Sequence, residues 1–544
     1  MKKYLQTKWL LLLLIGGGVA LATSGRFLKI SQSMENFAAA YRVINNQYVD
    51  ETDPNQLMRI GIDSMLGHMD PYTNYFSEAQ MVQVKMGVKG GWDGIGIELT
   101  KNDGQIVIKE LVEDTPAEEN DLRVGDILLK IDGTVLKGRK IEDVSQTLQG
   151  KAGTKVSIEV MRPSTGKVRE LLIERTKVTK KNVPYYGMLD EDTGYIVLTT
   201  FSQRAGGNVQ DAFKELQAEH NPKQVILDLR NNGGGYLIEA VNICNIFLEK
   251  GHEIVYTRAK IPEWDRSFKT LNTPIDTEIP LIILMNGSSA SASEIVAGAL
   301  QDMDRAVLLG RNSFGKGLVQ NTKDIGYSSK IKLTTAKYYI PSGRCVQALN
   351  YKNGIPVKVA DSLRQEFVTK SGRKVYDGKG LEPDYKVEEA KKSVLLKALI
   401  REHLIFDYAN KYREEHDSIV TAKEFNLSDE AFNDFVLHAT EKWLNYQTST
   451  EKALVKLEKQ AQEESTYADL ADVFKQTKAN IKAEKVTSFE KNKTEVKEYL
   501  EQEIVGRYYY MTGQVENRLA RDTDVAEAIK LFKDKERFEK LLKP

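Results

Sequence analysis

Strand-like apolar runs alternate with helix-like segments from Gly194 to about Tyr385, and this alternation narrows the choice of fold more than any other feature. The strand-like runs are Tyr195–Leu198, Val225–Leu229, Ile254–Tyr256, Leu281–Leu284 and Val307–Leu309, and the helix-like segments are Val209–Leu216, Leu237–Leu248 and Ala292–Gln301. Parallel strands need crossover connections, so this order favours an α/β layer fold around a largely parallel sheet. We assign residues 177–388 to this domain and interpret residues 177–190 as a linker at its start.

Length and charge limit the class of protein. A chain of 544 residues is too long for one hydrophobic core, so several domains are expected. The 77 basic and 77 acidic residues cancel, which gives no overall field that favours nucleic acid or an anionic membrane. Cys244 and Cys345 are too few for a disulfide scaffold, and two unpaired cysteines are the simpler interpretation.

The first residues are typical of a targeting segment. Lys2, Lys3 and Lys8 precede the apolar run Trp9–Ala22, which is shorter than the roughly 20 residues that span a bilayer. A basic start, a short apolar stretch and small residues at its end predict a secretory signal peptide over residues 1–22. The alternative is an uncleaved anchor that continues to Ile30. Both interpretations predict an exported, periplasmic or extracytoplasmic protein, in the second case tethered to the inner membrane.

Three further regions flank or precede the α/β domain. Residues 31–90 show apolar side chains at helical spacing and predict a helical N-terminal cap. Residues 91–176 contain short β-type runs separated by Asn-Asp-Gly and Asp-Gly turns, with one helix over Lys140–Leu148. Residues 389–544 are helical and heavily charged. The prediction is thus a multidomain α/β chain with a helical cap, a β-rich domain, an α/β core and a helical C-terminal extension.

The β-rich region resembles a PDZ domain. The resemblance is carried by Gly94-Ile95-Gly96-Ile97, by Asp114–Glu118 and by Leu122–Leu128 with the following Ile131-Asp-Gly133. Asn120-Asp121 departs from the Ala-Gly usual in that family, but Asn and Asp tolerate the left-handed backbone of such a turn. A PDZ domain binds an extended C-terminal peptide as an added strand. The resemblance therefore implies that Gly94, Ile95, Gly96 and Ile97 bind a peptide carboxylate.

Ser291 lies where a strand ends and a helix begins, in the segment Asn286–Glu294. A serine there has its hydroxyl near unpaired backbone N–H groups, which can stabilise the oxyanion of an acyl-transfer intermediate. Ser291 and Glu294 also match a capping box, in which serine caps a helix and does no chemistry. Ser288, Ser289 and Ser293 compete for either role, so both interpretations stay open at this point.

Lys316 is a candidate base because it stands between Gly315 and Gly317. A lysine can take a serine's proton when burial disfavours its ammonium form. If the following residues are a strand, Lys316 and Gln320 share a face, and Gln320 can orient the amine. The alternative is a surface lysine in a turn, which describes most lysines.

A glycine run, Gly233–Gly235, follows the strand that ends at Asp228. It lacks the lysine and serine or threonine of a phosphate-binding loop, so a backbone oxyanion hole is its other use. Asp228 and Arg230 alternatively pair with each other at the strand end. The six histidines have no metal or catalytic spacing, so no metal or cofactor is predicted, although a triad can assemble from distant positions.

Together these segments resemble the carboxyl-terminal processing proteases, the tail-specific serine peptidases. The resemblance covers about residues 35–390 and runs through these motifs in order: Gly61–Leu66, Asp70–Thr73, the PDZ segments, Gly194–Phe201, Leu227–Gly235, Ser289–Glu294, Asn312–Gly317, Tyr339–Arg344 and Gly380–Asp384. It implies Ser291 as nucleophile, Lys316 as base and Gln320 as its support. It also implies an oxyanion hole of the backbone N–H groups of Ala292 and Gly235, and Asp302 as an auxiliary carboxylate used by some members.

The resemblance implies an endopeptidase that binds free C-termini of exported proteins through its PDZ domain and cleaves near them, with PDZ occupancy a candidate gate. Ser313 stands where the family often has threonine, and the C-terminal extension matches only some members. That extension is a candidate surface for an adaptor or for self-association; no nucleic-acid partner is expected. Two alternatives are an inactive exported PDZ scaffold and a lipid- or retinoid-binding relative of the same fold.

Overall fold

The computed structural model describes residues 27–76, 91–326, 329–388 and 391–544. They form two compact units, one comprising residues up to Tyr75 with 352–355 and the other the rest of the chain. In the first unit, helix α1 covers residues 27–47 and α2 covers Pro54–Gly67. Asp53 caps α2 by accepting hydrogen bonds from two backbone N–H groups of its first turn, and Pro54 follows it as the first helical residue. The strand β1, Asn74–Phe76, comes next.

The predicted signal peptide or anchor lies almost entirely outside the described residues. No helix within the described ranges is both long and apolar enough to cross a membrane.

The PDZ-type domain is a small β-sheet closed by one helix. Its elements are β2 (Gly91–Gly94), β3 (Ile97–Asn102), β4 (Gln105–Leu111), α3 (Pro116–Glu119), β5 (Ile127–Ile131), β6 (Thr134–Val135), α4 (Ile141–Leu148), β7 (Lys155–Arg162), β8 (Lys167–Glu174) and β9 (Thr176–Thr179). The strand order β3-β4-β5-β7-β8 makes β3 an edge strand. Ile95 and Gly96 form the bend between β2 and β3.

The α/β domain is built on a six-stranded sheet of order β10-β11-β12-β15-β16-β23. Its strands are β10 (Tyr185–Met188), β11 (Thr193–Val197), β12 (Gln224–Asp228), β15 (Leu281–Met285), β16 (Val307–Gly310) and β23 (Tyr385–Lys386). Only β10 is antiparallel to its neighbour, which confirms the predicted, largely parallel sheet. The predicted linker 177–190 is wrong, because β9 pairs with β2 and β10 joins the sheet edge. Polar residues and Pro184 hid these edge strands.

Each face of this sheet is covered by a different part of the chain. Helices α5 (Ala205–Glu219), α6 (Leu237–Phe247) and α7 (Ala292–Asp302) pack on one face. Helices near the C-terminus pack on the other, where Val525, Leu531 and Phe532 contact Ile226, Ile282 and Leu284 within one apolar cluster. The C-terminal extension therefore completes the core of the α/β domain.

A second, antiparallel β-layer carries the segment after Lys316. Strand β17 (Leu318–Asp324) pairs with β18 (Lys330–Tyr339), and β18 pairs with β13 (Glu253–Ala259), which also pairs with β14 (Arg266–Lys269). The remaining short strands are β19 (Leu349–Lys352), β20 (Ile355–Lys358), β21 (Glu366–Val368) and β22 (Lys374–Tyr376). Single 3-10 turns occur at Pro262–Trp264 and Asp361–Leu363. Both cysteines are free.

The C-terminal extension is helical, as predicted. Its helices are α8 (Val394–Arg401), α9 (Leu404–Glu415), α10 (Asp429–Asn445), α11 (Ser449–Glu463), α12 (Tyr467–Lys491), α13 (Lys493–Leu519), α14 (Thr523–Lys533) and α15 (Lys535–Leu541). Helix α13 is broken at Tyr509 and Tyr510, whose backbone angles are not helical. The multidomain α/β fold class predicted from the sequence is confirmed.

Candidate active site

Ser291 is the N-cap of α7, directly after the turn that follows β15. Its backbone has φ 58° and ψ −113°, an uncommon conformation for a residue with a side chain. Such strain persists only where surrounding contacts enforce it, and it is frequent at reactive positions. Ser291 is half-buried while the rest of α7 is buried, so the sharp turn presents this residue at the edge of the core.

Glu294 connects Ser291 to the loop that carries Lys316. Its Oε2 accepts the backbone N–H groups of Ser291 at 2.8 Å and of Lys316 at 2.9 Å. Its Oε1 accepts the backbone N–H of Gly315 at 2.7 Å and the Ser313 hydroxyl at 2.5 Å. The predicted capping box of Ser291 and Glu294 is therefore present, and the same carboxylate also fixes the glycine-flanked loop.

Tyr338, on β18, makes a second connection between the two residues. Its hydroxyl lies 2.7 Å from the carbonyl oxygen of Lys316, to which it donates, and 3.2 Å from that of Ser291. Tyr338 is buried, and this burial raises the pKa of its phenol well above the ordinary value. The phenol is therefore a neutral donor at physiological pH. Glu294 and Tyr338 together hold the backbones of Ser291 and Lys316 side by side.

Gln320 lies near this site but is oriented by other contacts. Strand β17 begins at Leu318, two residues after Lys316, and its register with β18 shifts between Val319 and Gln320. The extra residue of this irregularity is Thr335 on β18, so alternation along β17 itself is not interrupted. Because Lys316 precedes the strand, alternation alone does not place it on the face of Gln320. The Gln320 side chain donates to the Thr334 hydroxyl at 3.2 Å. Its role toward Lys316 stays a prediction.

Asp302 is not brought to Ser291. It ends α7, about 16 Å along the helix axis from Ser291 at about 1.5 Å per residue. Its carboxylate pairs with Arg344 at 2.8 Å and accepts the Ser342 backbone N–H at 2.9 Å. Burial raises the pKa of Asp302, although Arg344 opposes the shift. These contacts give Asp302 a structural role at the far end of the helix.

The glycine run lies against the turn that carries Ser291. Gly234 has φ +97°, and a Cβ built on it would stand 2.9 Å from the Ser291 Cβ and from the Ala292 nitrogen. The N–H of Gly234 donates to the Asn232 side chain at 2.9 Å, so it is committed. Gly235 has φ +151° and passes so close to Phe201 that a Cβ would clash with its carbonyl. Both glycines are thus required by the backbone path.

Asn232 fixes the glycine run to the turn that carries Ser291. It is fully buried, and its backbone carbonyl accepts the N–H of Ala290 at 3.0 Å and the Ser293 hydroxyl at 2.8 Å. Ser293 is therefore occupied structurally. So is Ser289, whose hydroxyl accepts the Asn286 N–H at 3.0 Å and donates to the Leu229 carbonyl at 2.8 Å. These contacts occupy the side chains of two of the competing serines, Ser289 and Ser293.

A buried ionic cluster ties the start of the glycine run to the C-terminal extension. Arg230 pairs with Asp228 at 2.6 Å, as one sequence interpretation predicted, but also with Asp522 at 2.7 Å and Asp524 at 3.0 Å. Arg311 also contacts Asp524. Burial would raise the pKa of Asp228, but Arg230 outweighs it, so that pKa lies below its ordinary value.

The predicted carboxylate loop opens into a cavity of about 760 Å³. Gly94, Ile95, Gly96 and Ile97 line it together with Leu148 of α4. Gly96 has φ +92° and would place a Cβ 2.1 Å from the Thr115 hydroxyl oxygen, so this sharp bend requires glycine. Within the described ranges, no cluster of three or more His, Cys, Asp or Glu side chains is arranged to hold a metal ion.

Comparison with known proteins agrees with this architecture. Residues 192–357 match peptidase family S41, and residues 107–162 match a PDZ domain family. The carboxy-terminal-processing protease of Bartonella bacilliformis is 34% identical over 330 residues, which are 60% of this chain and 75% of that protein. The chain belongs to the carboxy-terminal-processing proteases. It is a serine-type peptidase with a PDZ domain.

Other matches cover the ends of this carboxy-terminal-processing protease. Residues 20–79 match the N-terminal domain of activating protease CtpB, and residues 395–532 match a family described as a probable PDZ-protease, C-terminal helical domain. A probable CtpA-like serine protease of Staphylococcus aureus is 32% identical and covers 58% of this chain and 63% of its own length. The solved photosystem II D1 C-terminal processing protease is 26% identical, with a TM-score of 0.35, over 65% of this chain and 92% of that one.

Sequence reasoning proposed Ser291 and Lys316 as catalytic residues but missed the contacts that hold their backbones together. Glu294 was interpreted only as a helix cap, and its spacing from Ser291 was the available signal. The sequence pattern gave Asn232 no role, although it lies within the glycine-rich motif and bonds the Gly234 N–H. Tyr338 comes from a strand 47 residues further along, and no local pattern points to it.

Proposed function

We propose that this peptidase uses Ser291 as its nucleophile and Lys316 as its general base. The observation that carries the proposal is the shared bonding of the two residues, since Glu294 accepts both N–H groups and Tyr338 contacts both carbonyl oxygens. A base must lie within hydrogen-bond reach of the proton that it abstracts. Two segments held together on both sides support such an approach of Lys316 to Ser291 without a histidine.

The chemistry then has two halves. The neutral amine of Lys316 takes the Ser291 proton as Oγ attacks the scissile carbonyl, and the resulting ammonium protonates the leaving amine. The N–H groups of Ala292 and Gly235 receive the oxyanion in our proposal, because the Gly234 N–H is already committed to Asn232. Water, deprotonated by Lys316, then hydrolyses the acyl-enzyme. In the proposal, Gln320 orients the amine.

We further propose that the PDZ domain binds the free C-terminus of a protein substrate. The edge strand β3 leaves backbone groups available for an added peptide strand, and the bend at Ile95-Gly96 can present N–H groups to the terminal carboxylate. Tethering one end of a substrate raises its effective concentration at a catalytic site in the same chain. In this proposal, substrates are cleaved near their C-termini. They are exported proteins, because the basic, apolar start of the sequence predicts export of the peptidase itself.

The test is proteolysis of an unstructured protein by wild type, Ser291→Ala and Lys316→Ala, with the new termini read by mass spectrometry. We expect each substitution to lower kcat by on the order of 10³-fold or more, with unchanged circular dichroism. Asp302→Asn serves as the matched comparison, because its effect should be on stability. Cleavage by both variants at the wild-type rate contradicts the Ser/Lys mechanism. A wild type that binds peptides but cleaves nothing favours the inactive scaffold.

Amidated peptides test the second part. Blocking the C-terminal carboxylate should weaken binding to the Ser291→Ala protein by 10-fold or more, at about 1.4 kcal/mol per factor of ten. Equal affinity for free and amidated peptides would refute carboxylate recognition.

A further inference from the structure

The break in helix α13 is held in place by the PDZ domain. Tyr510 has φ 53° and ψ −154°, a strained combination for a residue with a side chain. Its hydroxyl bonds the Glu118 carboxylate, and the Thr512 hydroxyl donates to the Pro184 carbonyl at 2.9 Å. These contacts fix the point at which the chain changes direction. The segment Met511–Arg518 after the break is thereby turned toward the PDZ domain.

That segment forms one wall of the cavity next to the carboxylate loop. Met511, Gln514, Val515 and Arg518 line the same space of about 760 Å³ as the bend Gly94–Ile97. A PDZ domain alone offers a groove between a strand and a helix. Here the groove between β3 and α4 continues into a chamber whose opposite side belongs to the C-terminal extension.

The lining suits an apolar terminal side chain. Ile95, Leu99, Leu148, Met511 and Val515 contribute apolar atoms to the cavity. The basic side chains that line it already have acidic partners: Lys180 pairs with Glu98 and Glu110, Lys181 with Glu113, Arg230 with Asp228 and Asp522, and Arg518 with Asp228 and Asp522. The volume lies in the range that small ligands fill, which corresponds to a few peptide residues.

We propose that Met511–Arg518 is a specificity-determining wall of the peptide site, so that two domains select the terminal side chain of the substrate. This inference rests on the proposed function, since it requires that a C-terminal peptide occupy the cavity. The occupant is an extended peptide with a free carboxylate at the Gly94–Ile97 bend and an apolar last side chain between the PDZ domain and Met511. Met511 acts as a binding residue here and not in the chemistry at Ser291.

The experiment measures binding and not cleavage. Fluorescein-labelled peptides that differ only in their last residue (Ala, Val, Leu or Phe), each free and amidated, are titrated into full-length Ser291→Ala protein and followed by anisotropy. Met511→Ala in that background enlarges the cavity. We expect the affinity for the Phe peptide relative to the Ala peptide to rise by about 10-fold, as hydrophobic pockets discriminate to that order. The loss on amidation should be the same with and without the substitution.

Leu519→Ala is the matched control, because Leu519 lies on the same helix and in the same apolar cluster as Met511 but does not line the cavity. It should lower stability similarly and leave the order of peptide affinities unchanged. Gln514→Ala removes a cavity-lining side chain with less packing loss, and it serves if Met511→Ala lowers the melting temperature too far.

If the order of peptide affinities is unchanged in both Met511→Ala and Gln514→Ala, Met511–Arg518 does not determine specificity. That outcome leaves carboxylate recognition by the PDZ domain intact. A Ser291→Ala protein that binds no peptide, or that binds free and amidated peptides equally, removes the proposed function and this inference with it. A changed order of affinities in Leu519→Ala also overturns the inference, because the effect would then come from general loosening of the helix.

Discussion

At the scale of single residues, Glu294 shows how a buried charge organises a catalytic site. Burial raises the pKa of Glu294 because it disfavours the carboxylate, and its hydrogen bonds oppose that shift. Three of the four donors are backbone N–H groups that have no freedom to turn away. Only an acceptor with two free oxygens satisfies all of them, so neither glutamine nor alanine can replace this side chain.

We expect Glu294→Gln to lower kcat by at least about 10²-fold, because its amide N–H would face backbone N–H donors and separate Ser291 from Lys316. The melting temperature should fall as well, since unsatisfied buried donors cost about 1–3 kcal/mol each. Steady-state kinetics and thermal unfolding check both effects. Asp384→Asn is the control: Asp384 also accepts a buried backbone N–H, from Leu308 at 2.8 Å, but contacts neither catalytic candidate. If both variants lose activity equally, the Glu294 effect is only loss of stability.

Two neighbouring glycines provide a sharper comparison. Gly234→Ala should abolish cleavage, because its Cβ would stand 2.9 Å from the Ser291 Cβ and its φ is +97°. Gly233→Ala adds a Cβ with no heavy atom within 4 Å, so this variant should keep its fold and most of its activity. Cleavage assays and circular dichroism on the pair decide the point. Equal activity of the two variants contradicts the close approach of the glycine run to the nucleophile.

The sequence was sufficient to propose Ser291 and Lys316, because the proposal depends on local features, a strand-to-helix turn and flanking glycines. It does not settle the orientation of Gln320, because β17 begins only at Leu318, two residues after Lys316, and the role of Gln320 stays a prediction. Asp302 lies at the other end of the helix that Ser291 caps, and the sequence alone indicates this separation. Its predicted auxiliary role came only from the family resemblance.

At the scale of elements, an ion pair between Arg230 and Asp522 connects the segment before the glycine run to the start of α14. Arg230 lies three residues before Gly233, the first residue of the run. Asp522 pairs with Arg230 and also caps α14 by accepting the N–H groups of Asp524 and Val525. The same carboxylate therefore fixes a helix start and an arginine of the α/β domain. The sequence predicted the Asp228–Arg230 pair but not its second partner, because nothing local relates positions nearly 300 residues apart.

This cluster makes stability depend on pH. The pKa of Asp228 is lowered in the folded state, so its contribution is present above the unfolded value of about 3.9 and is lost as the pH falls through the folded value. Asp228→Asn should therefore lower the melting temperature at pH 7, and the difference from wild type should shrink as the pH falls below about 4. Thermal unfolding followed by circular dichroism across that range measures the difference.

The control for this pH dependence is Asp324→Asn, which removes an exposed carboxylate near Lys330. It should change the melting temperature little at any pH, since exposed ion pairs contribute little. A constant difference between Asp228→Asn and wild type at all pH values would show that Asp228 acts through packing rather than charge.

At the scale of the whole molecule, the C-terminal extension is part of the α/β core. Its apolar periodicity predicted helices correctly. The periodicity could not show which surface these helices cover, because an amphipathic pattern indicates that one helix face is buried but not against which element. The structure supplies that partner, the sheet face formed by these side chains: Tyr195, Val197, Ile226, Ile282, Leu284, Val307 and Leu309. Adaptor binding or self-association through the extension stays a prediction.

Removal of residues 523–544 should therefore prevent folding of the α/β domain. It deletes Val525, Ala528, Leu531, Phe532 and Phe538 and exposes a contiguous apolar sheet face that soluble monomers rarely tolerate. It also removes Asp524, a shared partner of Arg230 and Arg311, although Arg230 keeps Asp228 and Asp522. Soluble yield, size-exclusion chromatography and binding of a hydrophobic dye measure the outcome.

A larger deletion elsewhere in the extension should be harmless and is the control. Helices α11 and most of α12 are largely exposed, and Lys485 Nζ lies 3.3 Å from the Leu444 carbonyl oxygen, so the ends of this hairpin are close together. Replacing residues 449–484 with a short Gly/Ser linker should leave a soluble, cooperative protein that still cleaves, since the sheet cover and the ionic cluster remain. If this variant aggregates while the protein lacking 523–544 stays folded and active, the helices after Asp522 are not the cover that the sheet requires.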